Sequence, residues 1–170
     1  TTLNQMTQGI PSLRQPSQLK HLLDRYRSVR QTTVDLAKPL ATEDYCIQSM
    51  PDVSPTKWHL AHVSWFFEQF VLIPFAPRYR VYNDNYHFIF NSYYYSAGDM
   101  HARPHRGLLT RPTLSEILSY REAVNDAVLD LLEHADQPDI LFRVELGLNH
   151  ERQHQELLLT DIKHVLSRSP

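Results

Sequence analysis

The chain has a single cysteine, Cys46, so no internal disulfide can form. That scarcity suits a reducing compartment and points to the cytoplasm. Cys46 itself reads as a small buried residue. No apolar run approaches the ~20 residues of a membrane span, and no basic-then-apolar signal opens the sequence. Charge is not in excess either: a net -2 over 170 residues offers nothing to attract a nucleic acid. Internal repeats and low-complexity tracts are missing as well. What is left fits one compact domain, long enough to bury a core without staples. Two residue types are over-used, with 10 histidines and 9 tyrosines. An excess of histidine favours a metal site without locating it.

Residues 1–16 are polar and contain two prolines and a glycine, and read as a loosely attached arm. From Ser17, which is placed to cap it, a helical pattern begins: Leu19, Leu22, Leu23, Tyr26, Val29, Thr33 and Leu36 recur at spacings of three and four. Pro39 ends or kinks that helix. A second helix is expected from Ser54-Pro55, with Ser54 as its cap and Pro55 in the first turn, carrying Trp58, His59, His62, Trp65, Phe66, Gln69 and Phe70, with Pro74 and Pro77 closing it. Residues 76–112 lack a helical period yet are rich in aromatics, Asn, Arg, Gly and Pro. Disordered segments are poor in aromatics, so this stretch reads as an ordered functional loop. Thr113-Leu114-Ser115-Glu116 is a capping box. The helix it opens carries Ile117, Val124, Val128 and Leu131 as its apolar stripe. Asp136-Gln137-Pro138 separates it from a last helix, about Pro138 to Ser167, with Leu141, Val144, Leu148, Leu158, Ile162 and Val165. The expectation is an all-α fold: a four-helix bundle over 17–170 with a long ordered loop between its second and third helices.

The sharpest local signal is His150-Glu151-Arg152-Gln153-His154. Four helical residues advance by ~400°, leaving the two imidazoles ~40° apart with ~6 Å of rise, so both can reach one metal ion. Gly147, one turn earlier on that face, permits a close approach. The plain alternative is two solvated histidines on a polar face. The same residues match the HExxH pattern of zinc peptidases, with Glu151 as general base. The extended form of that pattern needs glycine and histidine where Leu157 and Thr160 stand. A third ligand on a following helix has no room before Pro170. A third ligand for a different kind of site is available on the second helix, where the stripe Trp58, His62, Trp65, Gln69 favours His62, although spacing alone leaves His59 open. The loop adds His101, Arg103, His105 and Arg106. Two arginines three apart can form a fork for carboxylates, or a solvated basic turn. Residues 91–95 (NSYYY) can line a pocket or pack the loop on the bundle.

Taken together, KWHLAHVSWFFE, FNSYYYSAG, RPHRGLLTRPT and NHERQHQELLLTDIKH, in that order, resemble the N-terminal domain of ergothioneine sulfoxide synthases, from about Gln18 to Ser167. The resemblance implies a DinB-like four-helix bundle. It implies non-haem Fe(II) held by His62, His150 and His154, and Arg103 and Arg106 gripping the carboxylates of a thiol substrate, gamma-glutamylcysteine in many members. The implied reaction uses O2 to join the thiol sulfur to the imidazole of hercynine, leaving a sulfoxide. Three neutral imidazoles leave three coordination positions on the iron, for thiolate, O2 and water. The family carries a second, C-terminal domain similar to the formylglycine-generating enzyme, which supplies part of the hercynine pocket. That partner is expected outside these 170 residues. Related synthases use cysteine or a selenosugar, and the arginine pair favours a substrate with carboxylates. A different class, a stand-alone DinB-like module binding a divalent metal or a thiol cofactor for transfer or sensing, remains the alternative to an oxygenase.

Overall fold

The computed structural model describes residues 15–92, 98–134 and 137–170. No strand occurs among them. Four long helices carry the fold: α1 (Pro16–Ala37), α2 (Thr56–Phe67), α5 (Leu114–His134) and α6 (Pro138–Ser167). Two short helices, α3 (Ile73–Phe75) and α4 (Tyr86–Phe90), lie between α2 and α5. Of the expected arm, residues 1–14 lie outside the described part, while Pro16 is already helical.

Helix starts differ from expectation in two places. Pro16 occupies the first turn of α1 and Gln15 the N-cap, so Ser17 is not the cap. A proline there needs no side-chain partner, because its missing N–H would have been an orphan anyway. Ser54 does not cap α2 either, since Pro55 takes the N-cap position and Ser54 is committed elsewhere. By contrast, the capping box forms as read. The Thr113 N–H donates to Glu116 Oε2 at 2.6 Å and the Glu116 N–H to Thr113 Oγ1 at 3.2 Å. α6 has the bounds its pattern suggested.

α2 is buried on every side along its whole length. A helix buried all round belongs in the centre, and α2 packs against α4, α5 and α6. It runs into a π-helical turn, Glu68–Leu72, before α3. Pro74 explains the change, because it cannot donate to the Phe70 carbonyl four residues back. That carbonyl accepts from Arg143 Nη1 of α6 instead, at 3.0 Å. Glu68, buried at the start of the turn, accepts from the hydroxyls of Tyr79 and Tyr120.

The apolar stripes close into one core around Tyr26, Trp65, Phe67, Tyr120 and Leu148. In α5 it is Leu132, not Leu131, that is fully buried. Gly147 lets Phe67 in: a Cβ there would stand 2.4 Å from the Phe67 ring. Cys46 is only partly covered, at the end of a 3-10 turn, rather than buried as its type suggested. The loop over 76–112 is ordered in part by helix, α4 and a 3-10 turn at Arg103–Leu108. Both are too short for a period of 3.6 to register.

Candidate metal centre

α2 and α6 bring three histidines to one point. His62, His150 and His154 each offer a ring nitrogen, and these atoms lie within 4.8 Å of one another. The Nε2 atoms of His62 and His150 are 3.2 Å apart. Ring packing sets their orientation. His62 is stacked between Trp58, at 4.5 Å and 11°, and Trp65, at 5.5 Å and 16°. His150 lies on Phe66, with ring centroids 4.5 Å apart.

Hydrogen bonding settles which nitrogen of His62 has the lone pair. Its Nδ1–H donates to the Phe90 carbonyl at 2.6 Å, so the lone pair is on Nε2, the nitrogen that faces His150. That carbonyl closes α4, and the neighbouring Ile89 carbonyl accepts from Trp58 Nε1 at 3.1 Å. The long loop therefore orients the second helix. His150 Nδ1 is buried and has no hydrogen-bond partner among the described residues.

Burial holds the cluster neutral. It is the main cause for His62, whose pKa falls well below the ordinary value, with His154 and His150 adding to the fall. Burial likewise brings His150 down to about 4, against an opposing pull from Glu151. His154 comes down to about 2 through burial and then its neighbours His59 and His150. A neutral imidazole is the form that ligates a metal. A closely spaced set of neutral imidazoles, one of which keeps a buried ring nitrogen with no partner among the described residues, fits a divalent transition ion.

His59 is not in this group. It sits behind His154, with Nδ1 at 3.0 Å from His154 Nδ1 and Nε2 at 2.7 Å from Asp161 Oδ2. Spacing left His59 and His62 open; the fold separates them by one ring. Asp161 was missed in the sequence. Its signal is position, seven residues past His154 and so two turns on along the same face of α6.

Glu151 points away from the cluster into the core, fully buried. Oε2 accepts from Arg30 at 3.0 Å, and Oε1 accepts from Arg121 at 2.9 Å and Thr33 at 2.7 Å. Arg30 and Arg121 hold its carboxyl below the usual range despite burial. Both oxygens are used, and none of these partners is a metal-facing histidine. A peptidase base must face the metal; Glu151 does not, and the HExxH match is a coincidence of helical spelling.

Arg103 and Arg106 do reach the site. Both line a cavity of ≈ 420 Å³ together with His59, His62, His150 and His154. Arg106 is buried, its guanidinium 3.5 Å from the Trp58 ring centroid, with Nη1 donating to Ser54 Oγ at 2.8 Å and Nη2 to Ser92 Oγ at 3.2 Å. Arg103 Nη2 donates to the Asp52 carbonyl at 2.7 Å. His101 and His105 stay on the loop, where His101 Nε2 pairs with the His105 carbonyl. Of residues 91–95, Asn91 is buried and donates to the Gly98 carbonyl, Ser92 lines the cavity, and 93–95 lie outside the described residues.

No helix among the described residues is long and apolar enough to cross a membrane. A comparison with curated proteins finds no match. A family model described as the DinB superfamily matches residues 25–158, a span that takes in α2, the long loop, α5 and both cluster-bearing turns of α6. With that match over a helical bundle whose histidines converge on one point, the chain belongs to the DinB superfamily.

Proposed function

We propose that this chain is the iron-binding domain of a sulfoxide synthase of the ergothioneine type, holding Fe(II) through His62, His150 and His154. The observation that carries the reading is one cavity lined both by the three histidines and by Arg103 and Arg106. Cations beside a metal suit a substrate that brings a donor atom to the metal and a carboxylate to the arginines. A thiol such as gamma-glutamylcysteine or cysteine has both. Bound Fe(II) would supply a centre where a thiol gives up its proton and O2 is activated. The chain's own residues orient the rings, keep them neutral and hold the carboxylate end. Hercynine is the second substrate, and a domain similar to the formylglycine-generating enzyme, in the same chain or another, completes its pocket. The work is proposed for the cytoplasm.

The test begins with metal. Wild type should take up one equivalent of Fe(II) or Co(II), and His62→Ala, His150→Ala and His154→Ala should each lose most of it. Full uptake by His154→Ala would refute the ligand set. With the partner domain added, O2 consumption should require thiol and hercynine together. The superfamily match and the cluster also support a metal- or thiol-binding module without oxygenase activity. Metal uptake with no thiol-dependent O2 consumption would favour that reading.

A further inference from the structure

Behind His154 lies a short line of polar groups that the proposed ligand set does not use. Asp161 and His154 are on α6 and His59 is on α2, so the line joins the two helices that form the centre. His59 is only 3 % exposed, yet both its ring nitrogens have partners. Each contact constrains the next. Asp161 Oδ2 is placed as an acceptor: the Ser54 backbone N–H donates to it at 3.1 Å, and His59 Nε2 stands 2.7 Å away. The His59 proton therefore sits on Nε2. A neutral imidazole carries one N–H, so His59 Nδ1 is a lone pair. At 3.0 Å from His154 Nδ1 it must accept. His154 is thereby protonated on Nδ1 and presents its lone pair on Nε2.

We propose that Asp161 and His59 are positioning residues for His154, a carboxylate–imidazole relay that fixes its tautomer and leaves Nε2 free to ligate. This rests on His154 being a ligand. In many metal sites a carboxylate or carbonyl holds the ligating histidine directly, as the Phe90 carbonyl holds His62 here. At His154 a second imidazole is interposed. The interposed ring matters because Asp161 lies two helical turns from His154 and its short side chain spans that distance only through His59.

The state of His154 can be read without any metal. In ¹⁵N-histidine-labelled, metal-free protein, the ring nitrogens of His154 should show the proton on Nδ1. In Asp161→Ala and His59→Leu that signature should give way to a mixture, and Co(II) affinity should fall roughly 10–100-fold. The charge-swapped variant H59D/D161N places an acceptor-only carboxylate against His154 Nδ1, and should restore both the tautomer and most of the affinity. Loss of packing alone predicts no such restoration. A wild-type His154 carrying its proton on Nε2 would overturn the relay, as would an unchanged tautomer and affinity in Asp161→Ala. Should circular dichroism show either single variant unfolded, the wild-type spectrum still decides. Wild type with the Nδ1 proton but no Co(II) uptake would sink the metal reading and leave the relay standing.

Discussion

Arg106 sits in a confined place, over the Trp58 ring and between two serine hydroxyls. Stacking on an aromatic face and a planar fork are properties of arginine that lysine lacks. If Arg103 and Arg106 receive substrate carboxylates, each lost contact should cost ~1.5–3 kcal/mol, or roughly ten- to over a hundred-fold in affinity. Titrating the Co(II)-loaded chain with gamma-glutamylcysteine, and following the thiolate-to-metal absorption band, measures this. Arg103→Ala and Arg106→Ala should still give the band, at higher thiol concentration. Arg106→Lys should recover only part of the loss. Equal thiol affinity in wild type and both alanine variants would return the pair to a structural role. At this scale the sequence was partly readable. His150 and His154 stand out because four residues is one helical turn, whereas the choice of His62 over His59 depends on a carbonyl of α4, far away in the chain. Glu151 was ambiguous for the opposite reason: its motif was clear, and its environment, two arginines from other helices, was not.

Among the elements, the four long helices are tied at one buried knot. Arg30 of α1 donates to Glu151 of α6, Asn125 of α5 and Ser64 of α2; Arg121 of α5 donates to Glu151 and to the backbone of α1 and α2. Because Glu151 neighbours His150, the knot also sets the rotation of α6 that turns its histidines toward α2. Removing one member of a buried ionic network leaves the rest uncompensated, at ~3–5 kcal/mol. Glu151→Ala should lower unfolding stability by about that much in urea, with Glu151→Gln losing less because it can still accept from Thr33. A stability unchanged by Glu151→Ala would show that the knot is idle. The periodicity of the long helices made the bundle readable from α1 to α6. What escaped were features written by distant partners or in fewer than two turns. The π-turn after Phe67 needed Arg143 to take up the Phe70 carbonyl, and α4 has only 5 residues. Gly147 signalled a close approach but not that Phe67 would make it.

For the molecule as a whole, holding neutral imidazoles in a largely buried cluster makes stability depend on pH. Unfolded histidine takes up a proton near 6.5, while His150 resists until about 4 and His154 until about 2, with His62 lowered as well. Below 6.5 the unfolded chain thus binds more protons than the folded one, so stability is present above that pH and is lost as the pH falls. The lowered carboxyl of Glu151 acts in the same direction at more acid pH. Each such histidine contributes up to about 1.4 kcal/mol per pH unit. Urea midpoints of the metal-free chain should drop between pH 7 and 5, and bound Co(II) should raise the whole curve. A midpoint that holds steady over that range would contradict the buried, neutral cluster. One more consequence follows from the two indoles that enclose His62. The chain has only 2 tryptophans, and both stack on this one imidazole. Its tryptophan fluorescence, excited apart from the tyrosines, is therefore a report on a single ring. Filling the centre with a paramagnetic ion should darken nearly all of the emission at one equivalent, leave the His62→Ala variant bright, and so let occupancy be counted with light alone.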